Sequence, residues 1–458
     1  MSRAPVDPAP GGAPREAGQT GAADIRNRRR VVVIGGGFAG LHAVKALRRE
    51  PVDVLLVDRT NHHLFQPLLY QVATAGLSPG DIARPLRAIF RRQSNVTVLM
   101  AEVVAIDVER RVVELHRGER IPYDWLIVAV GARHSYFGHP EWEARAPGLK
   151  TLDDALQIRE KVLLSFERAE RAAARGERVD LRDLTFVVVG GGPTGVEMAG
   201  AIAEIAHQTL RRNFRLIDPT ATRVHLVEGE TAVLPTFPAE LRASARRQLE
   251  ELRIDVRLDS LVVGVDEEGV TLEPASQQAD GETQRIATRN VVWAAGNQVS
   301  PLLAQLPGER DRAGRSTVGE DLSLPQRPEI FVVGDAARFV GEDGAPLPAL
   351  APVAMQQGRH AARCVRADLR ALPRPPFRYR DRGTMATIGK ARAVAWIHRL
   401  RFGGLLAWLA WSLVHVTFLI GFRNRVSVML EWIYLYLTGQ RGARLLYGRS
   451  IRRIDEGG

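Results

Sequence analysis

Apolar residues in this chain come in short runs that stop abruptly at glycine. Val31–Ile34 run straight into Gly35-Gly36-Gly37-Phe38-Ala39-Gly40, and Leu41, Val44, Ala46 and Leu47 follow at helical spacing. A continuous apolar run predicts a buried strand, the glycines a tight turn, and the 3–4 spacing a helix. The next strand, Val52–Val57, ends in Asp58. The same order recurs later. Leu184–Val189 enters Gly190-Gly191-Gly192-Pro193-Thr194-Gly195-Val196-Glu197, a helical pattern follows, and strand Arg223–Val227 ends in Glu228. Two buried runs that close on glycine, Ile127–Gly131 and Val291–Gly296, complete an internal repeat.

Other patterns fill in the frame. Val96–Leu99, Val103–Val108 and Val112–His116 alternate like strands, Gly118 marks a hairpin, and Ile121–Val130 reads as one returning strand. Thr151 with Asp153 and Asp154 is laid out as a helix N-cap, and the helix runs to Gly176. Glu329–Val333 is a further buried run, ending in Gly334-Asp335, and the second half of Pro346–Cys364 reads as a helix. The predicted fold is α/β, with two Rossmann-like dinucleotide-binding domains, the second inserted in the first, plus a C-terminal helical membrane-anchoring region. The expected boundaries are a disordered tail over 1–28, a first domain over 29–148 and 298–368, the inserted domain over 149–297, and the C-terminal region over 369–458.

The glycine turns carry a chemistry. Gly35 and Gly190 allow the tight turn after the strand. Gly37 and Gly192 let backbone approach a pyrophosphate, and Gly40 and Gly195 let the helix pack close to the strand. The helix N-terminus then offers N–H groups and a positive dipole end to the anion. Asp58 stands ~20 residues past its turn, the distance at which an acid grips a ribose hydroxyl pair. Phe38, Ala39 and Arg59 join this candidate site. Gly131, Gly296 and Gly334 end buried strands, and Asp335 can accept from a sugar-chain hydroxyl or hold a cation near phosphate. The block Asn61–Gln71 is too apolar for a solvated loop and is expected along the cofactor. Its adjacent His62 and His63 lack a third ligand at metal spacing, so no metal is expected. Two dinucleotide sites on one chain imply a flavin and a nicotinamide held face to face.

The C-terminal quarter differs in kind. Phe402–Phe422 holds 21 residues without Asp, Glu, Lys or Arg, and a shorter apolar, aromatic segment follows over 426–437. Arg423, Arg425, Arg441, Arg444, Arg449, Arg452 and Arg453 flank them, with Trp396, Trp408, Trp411, Trp432, Tyr434, Tyr436 and Tyr447 of headgroup-zone type. An in-plane bilayer anchor is the leading expectation. A single span over 402–422 and a buried homodimer interface stay open.

Charge and cysteine content narrow the function. With 63 Lys and Arg against 52 Asp and Glu, the chain is formally +11. That balance favours anionic membrane surfaces or phosphate-bearing ligands, and the scattered arginines match no nucleic-acid motif, so no nucleic-acid partner is expected. The single Cys364 cannot form the redox pair that disulfide reductases need. The N-terminal stretch lacks an apolar targeting core, so a cytoplasmic-side location is expected.

From Arg30 onward the chain resembles the type II NADH dehydrogenases. The carriers are the two glycine fingerprints, the block from Asn61-His62-His63-Leu64-Phe65-Gln66-Pro67 to Thr74, Gly334-Asp335, Ala354-Met355-Gln356-Gln357-Gly358 and the apolar tail. The resemblance implies FAD bound non-covalently in the first domain, NADH as substrate in the second, and a quinone, ubiquinone or menaquinone, as acceptor. Electrons would pass without proton pumping on the cytoplasmic face of a bacterial-type membrane. It implies a charge-tuning role for Glu197, quinone- or flavin-orienting roles for Gln356 and Gln357, and a stabilising role for Lys390. Pro352 stands where the family pattern typically has Gln. Glu228 would repel a 2′-phosphate and so favour NADH. A ferredoxin- or rubredoxin-reductase-like flavoenzyme is the alternative.

Overall fold

The computed structural model describes residues 28–276, 282–342 and 344–446. Most of the expected N-terminal tail, with Tyr447, Arg449, Arg452 and Arg453, lies outside them.

Buried apolar strands set the frame. Strand Arg29–Ile34 pairs in parallel with Val52–Asp58 on one side and Trp125–Val128 on the other. Val96–Met100 and Arg327–Val332 extend the sheet in parallel, and Ser323–Leu324 closes one edge, giving six strands. A strand from beyond the second glycine turn therefore completes the first sheet. The second sheet has four parallel strands in the order Ile254–Arg257, Arg223–Val227, Thr185–Val189, Asn290–Trp293. Its central strand is buried along its whole length, as a parallel strand covered on both faces must be. Two short strands connect the halves. Ala132–His134, leaving the first sheet, pairs antiparallel with Asn297–Val299, which returns to it.

Helix Leu152–Ala174 begins as expected. Thr151 Oγ1 accepts from the Asp154 N–H at 3.1 Å, and the Asp154 carboxylate accepts from the Thr151 N–H at 2.7 Å. The predicted strand Ile121–Val130 is two strands. Arg120–Pro122 closes a hairpin with Val112–Leu115, and Trp125–Val128 enters the six-stranded sheet. Pro122 has no N–H to give a continuing ladder, and the Asp124 N–H turns instead to the Arg30 carbonyl at 2.9 Å.

Helix Ala351–Leu369 packs on the first fingerprint helix, Phe38–Ala46. The closest approach is at Gly358, where an added Cβ would overlap the Ala39 carbonyl oxygen. A second close approach fastens the C-terminal part. Strand Thr384–Gly389 lies on the second fingerprint helix, Pro193–Glu204, with Gly200 against the Ile388 carbonyl. That strand starts a three-strand meander with Arg392–Ile397 and Leu400–Gly403.

The apolar segment 402–422 is not the one helix that the single-span alternative required. Phe402 and Gly403 end a strand, helix Gly404–Phe418 follows, and Gly421 at φ +100° turns the chain into helix Phe422–Thr438. Among the described residues no helix is long and apolar enough to cross a membrane, so the single-span reading falls. The first of these helices turns Ala407 and Trp411 inward, while Leu405, Leu406, Leu409 and Leu413 face out. The second leaves Met429, Leu430, Ile433 and Leu437 exposed.

Gly358→Ala forces the two packed helices apart. It is expected to destabilise the protein by about 1–3 kcal/mol, the range for overpacking a tight interface, read as a lower midpoint in chemical denaturation.

Candidate functional site

Both glycine turns are held from behind and open in front. Gly35 sits at φ +102° and Gly190 at φ +106°, conformations that L-residues rarely adopt. A Cβ on Gly40 would overlap the Gly35 carbonyl, and one on Gly195 the Gly190 carbonyl, so helix and strand touch at both. By contrast, a Cβ on Gly37 or Gly192, the N-caps of the two helices, would meet nothing within 4 Å. The open side lies at a helix N-terminus, which fits a dinucleotide pyrophosphate at each turn.

The acids after the second strands hold the turns themselves. Asp58 Oδ2 accepts from the Gly36 N–H at 2.5 Å, and its Oδ1 accepts from the Thr60 N–H at 2.7 Å and the Thr60 hydroxyl at 2.8 Å. Glu228 repeats the device, taking the Gly191 N–H at 2.5 Å and the Glu230 N–H at 3.0 Å. His63 adds a bond on the first turn. Its Nδ1 donates to the Gly36 carbonyl at 2.9 Å, its ring meets the Phe38 edge at 5.1 Å, and burial lowers its pKa to about 4. The adjacent His62 points elsewhere, to the Asn61 side chain. Arg59 is exposed, with Glu102 at 3.9 Å.

Gly334-Asp335 meets the first turn from across the sheet. Gly334, at φ +73°, has Ala39 and Ala354 beside it, and its N–H donates to Gln357 Oε1 at 2.7 Å. Gln357 is 1% exposed. Burial raises the Asp335 pKa, and the Lys150 ammonium opposes that rise. Gln356 faces another way. Its amide donates to the Arg380 carbonyl at 3.0 Å and accepts from the Arg380 N–H at 3.1 Å. Gly131 (φ +65°) has open space beside it, whereas Gly296 (φ +67°) packs on Ser135 and Phe137.

The second fingerprint helix leads to a narrow pocket that is partly open to solvent. Tyr70, Glu197, Glu204, Lys390, Trp411 and Arg441 are among its walls. Burial pushes the Glu197 pKa up to about 8, and its one hydrogen-bond partner among the described residues is the Thr387 N–H at 3.5 Å. Glu204, two turns further along the same helix, accepts from the Lys390 N–H and pairs with the Arg441 guanidinium at 3.2 Å. The Lys390 ammonium donates to the Tyr436 carbonyl at 2.6 Å and sits 4.3 Å from that ring's centroid. On the apolar wall, Trp411 stacks on His415 at 4.2 Å, and Trp432 Nε1 donates to Gln71 at 2.7 Å. Gln71 in turn donates to the buried Tyr70 hydroxyl at 2.9 Å.

Glu197 and Lys390 thus share one pocket, while Gln357 belongs to the Gly334 turn and Gln356 to neither. Sequence reasoning missed Glu204 and Arg441 as site residues. Arg441 looked like a surface cation flanking an apolar segment, but it is 5% exposed and also donates to the Thr74 carbonyl at 2.7 Å. No local signal marks it, since its partner carboxylate stands 237 positions earlier.

Two strand–glycine–helix units of this kind are the architecture of pyridine-nucleotide flavoproteins, and residues 29–358 match the family "Pyridine nucleotide-disulphide oxidoreductase". Residues 382–441 match the "NDH2 C-terminal domain". The chain is 44% identical to the type II NADH:quinone oxidoreductase Ndh of Mycobacterium tuberculosis, covering 91% of this chain and 89% of that one. Its relative NdhA from the same organism is 43% identical over 94% and 93%. The fold is that of NDH2 from Plasmodium falciparum solved with NADH, with TM-score 0.83, 19% identity, and 92% and 100% coverage. The chain belongs to the type II NADH:quinone oxidoreductase family.

Asp58→Asn removes the charge from the acceptor behind the first turn. The expected result is a turn weakened by about 1–2 kcal/mol, the difference between a charge-assisted and a neutral hydrogen bond. The readout is a lower flavin-to-protein absorbance ratio after gel filtration.

Proposed function

We infer that this protein carries two electrons from NADH through bound FAD to a membrane quinone without pumping protons, and that the Glu197–Trp411 pocket receives the quinone. The observation that carries the pocket assignment is its make-up: aromatic walls from the C-terminal helices on one side, a single weakly partnered carboxyl on the other. A flat, apolar acceptor that must take up protons suits both walls, whereas a soluble iron–sulfur protein needs neither.

Bound FAD supplies the two-electron relay between nicotinamide and quinone. In this reading Gly35, Gly37, Phe38, Ala39, Gly40, Gly131, Gly334 and Asp335 hold FAD, with Asp58, His63 and Gln357 fixing the turns behind it. Gly190, Gly192, Gly195 and Gly296 hold NADH, and Glu228, negatively charged beside the second turn, disfavours a 2′-phosphate. The units run over 29–148 with 298–368 for FAD, 149–297 for NADH, and 369–458 for the membrane-facing part. Glu197, neutral below about pH 8, keeps a proton at the pocket and donates it as the acceptor is reduced. Lys390 and Arg441, tied to Glu204 and to helix Phe422–Thr438, fix the far wall. Gln356 positions the Arg380 segment.

The bilayer contact follows from the exposed leucines of the two C-terminal helices. Leu406 and Leu413 are each 69% exposed, and Leu437 is 78% exposed. Two short helices whose outward faces carry aliphatic residues together with Phe422, Tyr434 and Tyr436 lie in the interface on the cytoplasmic face rather than crossing it. Leu406→Glu with Leu413→Glu is expected to abolish co-sedimentation with anionic vesicles while NADH still bleaches the flavin.

Glu197→Gln separates the proton from the fold. Turnover with a short-tail quinone is expected to fall about 100-fold, the scale of a lost general acid, while flavin bleaching by NADH is retained. Unchanged quinone turnover would remove Glu197 from the mechanism. The sign of its effect on stability also follows. The folded protein keeps a proton that the unfolded chain loses in the usual carboxylate range. Folding is therefore favoured most at low pH, and this contribution is lost as pH rises through about 8. Tm measured from pH 5 to 9 should decline less steeply in Glu197→Gln than in the parent.

A further inference from the structure

The four-stranded sheet has two ends. Its glycine turn and Glu228 lie at the C-terminal ends of the parallel strands. A second cleft runs from the segment 178–182 and the starts of strands Thr185–Val189 and Arg223–Val227 along the sheet edge to Arg257, against strand Gln284–Ala287. It offers about 690 Å³ of room and is open to solvent. Five arginines, 178, 182, 223, 257 and 285, line it with His225, against one acid, Asp180.

Some of that charge is compensated from outside the cleft. Arg182 pairs with Asp180 and Glu268, Arg257 with Asp255, and Arg285 with Asp266. Arg178 and Arg223 make no ion pair among the described residues, and both are exposed. Leu181, 52% exposed, and Ile286 put an apolar surface in the same cleft. Planar guanidinium forks match phosphate oxygens in pairs, and a low-dielectric wall beside them strengthens the attraction.

We propose that this cleft binds a phosphate-bearing small molecule, with its phosphates on Arg178 and Arg223 and its apolar part against Leu181 and Ile286. Arg178 and Arg223, which take the phosphates, stand at the strand ends opposite the glycine turn, while Arg257 lies level with Val227. The ligand chemistry has two sources: a free phosphorylated metabolite or an anionic lipid headgroup.

The test is calorimetric titration of the flavin-loaded protein with inorganic tripolyphosphate, with NAD+ saturating the Gly190 site. Arg178→Glu with Arg223→Glu is expected to weaken binding at least tenfold, and Arg178→Gln with Arg223→Gln to weaken it less. Both should keep their flavin content, Tm and KM for NADH. In parallel, sedimentation with vesicles of anionic or neutral lipid assigns the source. A deficit of the double variants confined to anionic vesicles, with no tripolyphosphate binding in the parent, makes the ligand a headgroup. The proposal is overturned if the parent shows neither binding, if the double variants bind like the parent, or if NAD+ abolishes tripolyphosphate binding.

Discussion

In the reading proposed above, each glycine turn must do two incompatible things: present bare backbone to an anion and stay rigid without that anion. A carboxylate at the end of the neighbouring strand resolves the conflict. Asp58 and Glu228 each take an N–H of the middle glycine from behind, at 2.5 Å in both turns. The turn's shape is then set by charge-assisted bonds within the chain, and the N–H groups at the helix start are left for the ligand. Parallel pairing of strand with strand brings these acids into place, so the sheet register and the site are one constraint.

The C-terminal part is joined to that frame by backbone contact and by buried charge. Gly200 lets the Ile388 carbonyl lie against the second fingerprint helix. Glu204 of the same helix then gathers the Lys390 N–H and Arg441, and Arg441 reaches the Thr74 carbonyl beyond the first turn. A buried ion pair adds little net stability, but removing one partner leaves a charge without compensation. The pair therefore enforces registry among three parts of the chain, and the pocket lies where they meet.

Much of this was legible in sequence, for a local reason. A glycine turn needs particular residues at particular spacing, and Gly35–Gly40 and Gly190–Gly195 show it without any knowledge of neighbours. The Thr151 cap is equally local. Pro122 was the overlooked local signal, since it divides the run Ile121–Val130 between two sheets. The single-span alternative over 402–422 failed because composition registers apolarity and neither the strand that ends at Gly403 nor the turn at Gly421. The pocket was out of reach for a different reason: Tyr70, Glu197, Lys390 and Arg441 come together only through tertiary packing. Gln356 and Gln357, adjacent in sequence, point to different partners because neighbours on a helix are about 100° apart around its axis.

The paired connectors, Ala132–His134 and Asn297–Val299, have a mechanical consequence. Two independent tethers would let one nucleotide unit twist and slide against the other. A two-strand ladder behaves instead as a strap: it bends across its flat face at little cost, but sliding one strand along the other breaks its cross-strand hydrogen bonds. The strap therefore fixes the lateral alignment of the two units, in step with the core they share around Phe65, Leu68 and Phe186.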